Sequence, residues 1–376
     1  MPTGIDRVER AYLQHLSEDG VPLWALARSA WGFLLLDPSG VRAAIPHLCG
    51  ASPWPGGDLL SSLALRRPAA VRRTEAGLRR LAVARCRPGG LKAMLSRHLP
   101  TGSVYVNVGH TNLDAPVLEA IAAARGRCAV MVHDMIPLDH PAYQRDGSVA
   151  RFRVRMRLVS ERADVVIYTA RATRQQAEHR FESWGRVPPG VTAWLGVEIG
   201  PVGDLPSDLP PASPYFICVG TLEPRKNIGF LLNLWGDLGP GAPALLLCGA
   251  RGWKNEDVFR RLDGSRTGSI REIAGLDDAA LRRLVSGAAA LLFPSHAEGF
   301  GLPVMEAAAL GTPVICNDLP VLREVMGDVP TYLPVIDRHR WAAAIRALAT
   351  GQGDGPPPVF DPPRWDRHFQ QVLSVI

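Results

Sequence analysis

The sequence predicts an α/β protein built from two parallel-sheet domains, and three observations carry that expectation. From Tyr215 onward, strand-like apolar runs alternate with helix-like stretches, the pattern of a doubly wound sheet. Earlier in the chain, Val104 to Val108 and Ala129 to Val132 are short apolar runs that end in polar residues, where a parallel sheet gathers its ligands. Between the two regions, EIGPVGDLPSDLPPASP follows Val197 and is rich in Pro, Gly and Ser, which reads as a linker. The expected boundaries are a first Rossmann-like domain over 1–198, a linker over 199–214, and a second Rossmann-like domain over 215–364.

Composition agrees with a folded globular chain. Of 376 residues, 47% are hydrophobic and 21% charged, enough for two cores and unlike a disordered protein. No apolar run approaches the ~20 residues of a membrane span, and no signal peptide is recognisable at the start, so a cytoplasmic protein is expected. The six cysteines are scattered singly, without the close pairs of a zinc or redox motif, and are expected to be reduced. A net charge of +6 is modest and by itself points to no nucleic-acid partner.

In chain order, Val8, Tyr12, Leu13 and Leu16 give a helix with one apolar side, and Thr3-Gly4 forms a small-residue turn in front of it. Val21 to Arg28 and Gly32 to Asp37 read as strands, with Pro38-Ser39-Gly40 closing the pair. ASPWPGGD, at 51–58, is loop chemistry. Between Ala64 and His98 a run of arginines (66, 67, 72, 73, 79, 80, 85, 87 and 97) and Lys92 faces the single acid Glu75, over one or two amphipathic helices. Such a surface fits an anionic membrane or a lipid-linked diphosphate, or else is a solvated arginine-rich face. Phe152 to Leu158 alternates apolar and basic residues like a strand, but a parallel strand at Asp164 to Thr169 needs a crossover before it, which makes Ser148 to Glu161 a helix. Ala172 to Trp184 is then a helix and Val191 to Leu195 a strand.

In the second half, Tyr215 to Val219 is a buried strand running into GTLEPRKN, where Arg225 and Lys226 offer a bidentate fork and a point charge to a diphosphate. Leu245 to Cys248 and Ser269 to Ala274 continue the strands, and Asp278 to Gly287 leads to the stretch FPSHAEGFGLPVMEAAALGTPVICNDLP at 293–320. There a buried strand, Ala288 to Phe293, meets the helix Leu302 to Leu310 across the turn Glu298 to Gly301. Pro303 suits the first helical position, and Gly311 followed by Thr312-Pro313 suits a stop. Gly299 and Gly301 let backbone approach a ligand, and the free N–H groups of a helix start favour a diphosphate. Glu298 and Glu306, two turns apart, are positioned to touch different parts of one long ligand.

The Glu, seven residues, Glu spacing within EGFGLPVMEA, with GTPVI after it, closely resembles the signature of the family 4 (group 1) retaining glycosyltransferases. HDMIPLDHP from His133 and the string GTLEPRKN resemble further elements of that family. The resemblance is strong over Tyr215 to Val325, moderate over Val104 to Thr169 and at the first turn, and weak from Arg28 to His98. It implies the GT-B architecture, two Rossmann-like domains facing each other across a cleft, with the C-terminal helix 365–376 crossing back onto the first domain. Glu298 and His133 are then the catalytic candidates at the donor sugar, Asp134 orients His133 or its loop, and Glu306 meets the ribose. Arg225 and Lys226 hold the leaving nucleotide, Gly299, Phe300, Gly301 and Leu302 line the donor turn, and Gly4 approaches the diphosphate or acceptor, with His110 and Asn112 as weaker acceptor-side candidates.

The implied reaction is retaining, metal-independent transfer of a hexose to a glycan or polyprenyl-linked acceptor in surface polysaccharide synthesis. No cofactor is expected. GDP-mannose is favoured as donor, with UDP-glucose close behind and a catalytically silent glycan-binding relative as the further alternative. The expected location is the cytoplasm, peripheral on the cytoplasmic face of the inner membrane. A Rossmann oxidoreductase is disfavoured because no G-x-G-x-x-G follows a strand near the start. Since only Met1 and Pro2 precede Thr3-Gly4, the usual first strand has no residues to form it, and the expectation is that the true start lies upstream.

Overall fold

The computed structural model describes residues 4–64, 66–206, 209, 214–264, 268–352 and 358–376. The chain divides into two compact units, one comprising residues up to Met131 with Arg155–Val166, the other Val132–Val154 with Ile167–Val375. These limits differ from a boundary at 198–215. The loop after residue 131 packs on the C-terminal Gly299, where an added Cβ would lie 2.6 Å from the His133 carbonyl oxygen. Likewise, the helix Arg171–Glu182 starts on the carboxylate of Glu324, which accepts from the amides of Arg171 (2.7 Å) and Ala172 (2.9 Å).

The first unit opens with the helix Gly4–Glu18; Thr3, of the expected turn, lies outside the described residues. An antiparallel sheet follows, with β1 (Ala25–Ser29), β2 (Gly32–Leu36) and β3 (Ala84–Cys86) in that order. All five residues of β2 are buried because both its faces are covered. Phe33 and Leu35 pack with Leu91, Met94, Leu95 and Ile121, while Leu34 and Leu36 pack with Val41 and Ala44. This is the period-two alternation of a strand, here apolar on both sides.

Pro38-Ser39-Gly40 does not close a hairpin. It starts the helix Pro38–Leu48: Asp37 accepts from the Gly40 amide at 2.8 Å, and Pro38 takes the first position, where no N–H is needed. The arginine-rich segment forms the helices Ala69–Leu81 and Leu91–His98 with β3 between them. It is not simply a solvated face. Glu75 and Arg79 are buried, and Arg79 binds Asp58 through two hydrogen bonds of 2.8 and 2.6 Å.

Parallel strands β4 (Val104–Asn107) and β5 (Arg127–Val132) pair with Val104 opposite Arg127, joined by the crossover helix Ala115–Ala123. They begin a four-stranded sheet that continues with β6 (Val165–Tyr168) and β7 (Gly190–Thr192), and the division between units runs through β5 and β6. The segment before β6 is the helix Ser148–Arg162, as the crossover argument requires. The final helix, Trp365–Leu373, buries His368, whose Nδ1 lies 3.0 Å from the Trp194 carbonyl oxygen just after β7.

The second unit holds a six-stranded parallel sheet: β8 (Tyr215–Val219), β9 (Ala244–Cys248), β10 (Ile270–Ile273), β11 (Ala290–Phe293), β12 (Val314–Cys316) and β13 (Thr331–Tyr332). Their spatial order is β10-β9-β8-β11-β12-β13. From β8 the chain builds outward in one direction through β9 and β10, then returns to lay β11 on the other side of β8. That reversal creates a crevice beyond the carboxyl ends of β8 and β11, the usual ligand position of an open α/β sheet. Phe216, Leu231, Leu234, Trp235, Leu245, Leu292 and Trp341 fill the core beneath it.

The turns above these strands are tightly set. A Cβ on Gly249 would lie 2.0 Å from the carbonyl oxygen of Gly220, backbone against backbone, so neither can yield by changing rotamer. Gly249→Ala is expected to cost about 1–3 kcal/mol, read as a lower midpoint in urea denaturation with an unchanged slope.

Candidate active site

Two loops meet at the carboxyl ends of β8 and β11. The first, Gly220 to Asn227, passes through a single 3-10 turn, Pro224–Lys226, and ends at Asn227, whose left-handed φ of 56° starts the helix Ile228–Leu238. Asn227 Nδ2 donates to the Pro294 carbonyl oxygen at 3.3 Å, and the His296 amide donates to the Arg225 carbonyl oxygen at 2.9 Å, so one side-chain and one backbone hydrogen bond lace the two loops together. The second loop runs from Pro294 to Gly301. Gly301, at φ 89°, is the N-cap of the helix Leu302–Ala309, and an L side chain would be strained there.

This scaffold brings three of the sequence-derived candidates into direct contact. Lys226 Nζ donates to Glu298 Oε1 at 2.7 Å, and Arg225 Nη1 lies 2.7 Å from the same oxygen. Arg225 also donates to the Ala297 carbonyl oxygen (2.8 Å) and, through Nε and Nη2, to Glu223 Oε1 (3.0 and 2.7 Å). The Lys226 ammonium sits 4.4 Å from the centre of the Phe293 ring. Burial pushes the Glu298 carboxyl up, but Arg225 and Lys226 outweigh it and hold its pKa at about 2. For Lys226 burial dominates and pulls the ammonium down from its ordinary value, with Arg225 adding to that and Glu298 opposing it.

The loop after β5 belongs to the same unit. Gly299 lies against His133 and Asp134: beyond the His133 carbonyl oxygen, its added Cβ would meet Asp134 Cβ at 3.0 Å. Thr169 Oγ1 donates to the carbonyl oxygens of His133 (3.0 Å) and Gly299 (3.4 Å), and Thr173 Oγ1 donates to Gly299 at 3.3 Å. Asp134 accepts from the Ile136 amide at 3.0 Å, so its carboxylate fixes the loop. Burial raises its pKa, against the pull of Arg225 and His133.

Of the remaining candidates, Phe300 is buried in the same turn, Leu302 opens the helix, and Glu306 stands half-buried along it. Gly4 lies exposed in the other unit, at the first turn of Gly4–Glu18. His110 and Asn112 lie half-buried in that unit as well: the His110 amide donates to Asn107 Oδ1 (2.9 Å), and Asn112 Nδ2 donates to the Leu26 carbonyl oxygen of β1 (3.1 Å). Sequence reasoning missed Glu223 and the two threonines. Glu223 sits two residues before Arg225 in the same string, a signal that was available; Thr169 and Thr173 carry no local mark. Among the described residues, no group of three or more His, Cys, Asp or Glu side chains is placed to hold a metal ion.

A family model described as glycosyl transferases group 1 matches residues 206–352, which includes both loops. Over these residues the chain is similar to the group 1 glycosyltransferases. Over 174 residues it is 39% identical to the O-antigen chain mannosyltransferase B of Escherichia coli, covering 43% of this chain and 45% of that protein. Identity is 28% over 229 residues to the serotype-specific mannosyltransferase WbdA of Escherichia coli, covering 55% of this chain and 28% of that one. It is 33% over 137 residues to the O-antigen chain mannosyltransferase RfbU of Salmonella typhimurium, covering 36% and 38%. The chain thus spans less than half the length of these curated relatives. Anabaena HepE, solved in complex with UDP-glucose, superposes over 100% of this chain and 94% of its own with a TM-score of 0.61 at 14% identity, a likeness of fold. That fold is GT-B, with two Rossmann-like domains.

Because Glu298 is held ionised, its charge contributes stability fully above the unfolded carboxyl pKa near 4.5, and that contribution is lost as pH falls toward about 2. Glu298→Gln should therefore lower stability at neutral pH by on the order of 3 kcal/mol, since it leaves two buried cations short of a counter-charge. The gap between wild type and variant should narrow steadily in melts taken from pH 5 to pH 3. A constant gap would mean that the carboxylate is not ionised.

Proposed function

We propose that this protein is a retaining mannosyltransferase of surface polysaccharide synthesis. It would move mannose from a nucleoside diphosphate sugar, with GDP-mannose favoured, to a glycan or polyprenyl-linked glycan. The observation that carries the reading is the meeting of Arg225, Lys226 and Glu298 at the switch point of the second sheet. Mannosyltransferases among the relatives support the choice of sugar.

In this reading Arg225 and Lys226 meet the diphosphate without a metal: of five guanidinium N–H groups Arg225 commits four to Glu223, Ala297 and Glu298, leaving one on Nη2, and Lys226 commits one of three to Glu298. The helix start at Leu302 adds backbone N–H groups beside it. Glu298 and His133 position the sugar, and Glu306 meets the ribose. The leaving phosphate takes the acceptor proton on the face it departs from, through an oxocarbenium-like state, so configuration is retained. Binding and charge placement then supply most of the rate. Among the described residues no helix is long and apolar enough to cross a membrane. The location we propose is cytoplasmic, with a peripheral contact to an anionic membrane.

Hydrolysis of a panel of nucleotide sugars without acceptor tests the donor, with GDP-mannose expected to turn over fastest. Failure of every donor would favour a silent glycan-binding relative. Lys226→Ala should lose ~1.5–3 kcal/mol of transition-state stabilisation, roughly 10- to 150-fold in rate; unchanged turnover would remove this loop from the site. Glu306→Ala should weaken binding of free GDP in calorimetry, and equal affinity would contradict the ribose role.

A further inference from the structure

Ahead of the arginine helix Ala69–Leu81 stands a helix of a single turn and a half, Leu59–Leu63, with an unusual outward face. Leu59 is 87% exposed and Leu63 67% exposed. Four residues apart, they are neighbours on one side of that helix. Val71, at the start of the arginine helix, is 40% exposed, and Arg66 and Arg73 lie exposed on either side of that start.

Such a short helix is marginal by itself. Here it is held by an array of buried charge. Asp58 caps it by accepting from the Ser61 amide at 2.8 Å, and the Asp58 carboxylate is gripped by the two hydrogen bonds from Arg79. The Arg79 side chain is only 4% exposed and has Glu75 at 3.6 Å, while Arg67 pairs with Glu75 from the other side and Arg72 donates to the Ser61 carbonyl oxygen at 3.3 Å. Arg80 ties down the preceding loop through the Gly56 carbonyl oxygen at 2.7 Å. The arginines of this segment thus divide into two sets. One set turns inward and fixes the small helix; the other, with Arg66 and Arg73, stays exposed in the same segment as two leucines that the fold fails to bury.

We propose that Leu59, Leu63 and Val71, with Arg66 and Arg73, form the surface by which this protein docks on an anionic lipid bilayer. The leucines enter the boundary between headgroups and acyl chains while the arginines reach the lipid phosphates, the division of labour of an interfacial helix. Charge complementarity and the rigid outward presentation of apolar side chains select a bilayer over a soluble acidic partner. The inference deepens the proposed use of a polyprenyl-linked acceptor, whose diphosphate lies at the depth such docking reaches.

Co-sedimentation with vesicles of phosphatidylcholine alone, or of phosphatidylcholine mixed with phosphatidylglycerol, tests the surface without calling on transferase activity. The wild type should sediment with the anionic vesicles and not with the neutral ones, less so as salt rises. Leu59→Ser with Leu63→Ser should reduce that binding at least about tenfold while the melting temperature is kept, since both side chains are solvent-facing. Arg66→Glu with Arg73→Glu should do the same. Arg153→Glu with Arg155→Glu, on the equally exposed basic helix Ser148–Arg162, should bind as wild type. No sedimentation of the wild type, undiminished binding of the double serine variant, or loss confined to the Arg153 and Arg155 variant would each overturn the proposal. If no sugar nucleotide is hydrolysed yet the serine variant and the Arg66 and Arg73 variant both lose the vesicles while the Arg153 and Arg155 variant keeps them, the transferase reading falls and the docking surface stands.

Discussion

A single carboxylate oxygen, Glu298 Oε1, is shared at 2.7 Å by the ammonium of Lys226 and the guanidinium of Arg225. All three side chains are largely withdrawn from water, so each leans on the others, with Glu223 a further counter-charge for Arg225. Removing the acid would strand Lys226 and leave Arg225 with Glu223 alone, and removing either cation would leave the acid undercompensated, each a cost of about 3–5 kcal/mol. The arrangement exists because the sheet changes direction between β8 and β11, which sets two loops side by side although their charged residues are 72 positions apart. Glu223, Asp134 and the close approach of Gly299 to His133 extend the same constraint outward. Together they give a compact charge cluster whose cations keep unused donors.

Much of the second half was legible in the residues. Tyr215–Val219 is a strand with the same ends in sequence and structure, because a strand covered on both faces must be continuously apolar. The helix Ser148–Arg162 shows topology overriding local pattern, since its alternation favoured a strand and only the need for a crossover excluded one. Pro38-Ser39-Gly40 was misread because proline and glycine mark a turn and a helix start equally well; the deciding partner was Asp37 in front of them. Strand ends were the least legible feature, as at β1, which begins at Ala25 rather than Val21.

The site divides in the same way. Spacing within one loop and the helix after it marked Glu298, Gly301 and Glu306, whereas the meeting of Glu298 with Arg225 and Lys226 depends on strand order, which sequence does not spell out. Composition likewise showed a surplus of arginine in residues 64–98 but not its allocation. Arg79 finds its partner Asp58 across 21 residues and a loop, so a buried ion pair looked like one more surface charge.

The grip of Glu324 on the helix Arg171–Glu182 bears on how the chain is made. Ala170, at the N-cap of that helix, offers no side-chain oxygen, and the amides of Arg171 and Ala172 are met instead by a carboxylate more than 150 positions downstream. The Trp194 indole donates to the same group at 3.1 Å. During synthesis, therefore, this helix has to wait with its first turn open until most of the second sheet has left the ribosome. Its completion is a late event that reports on the whole chain, and a chain interrupted before residue 324 would leave it frayed at that end.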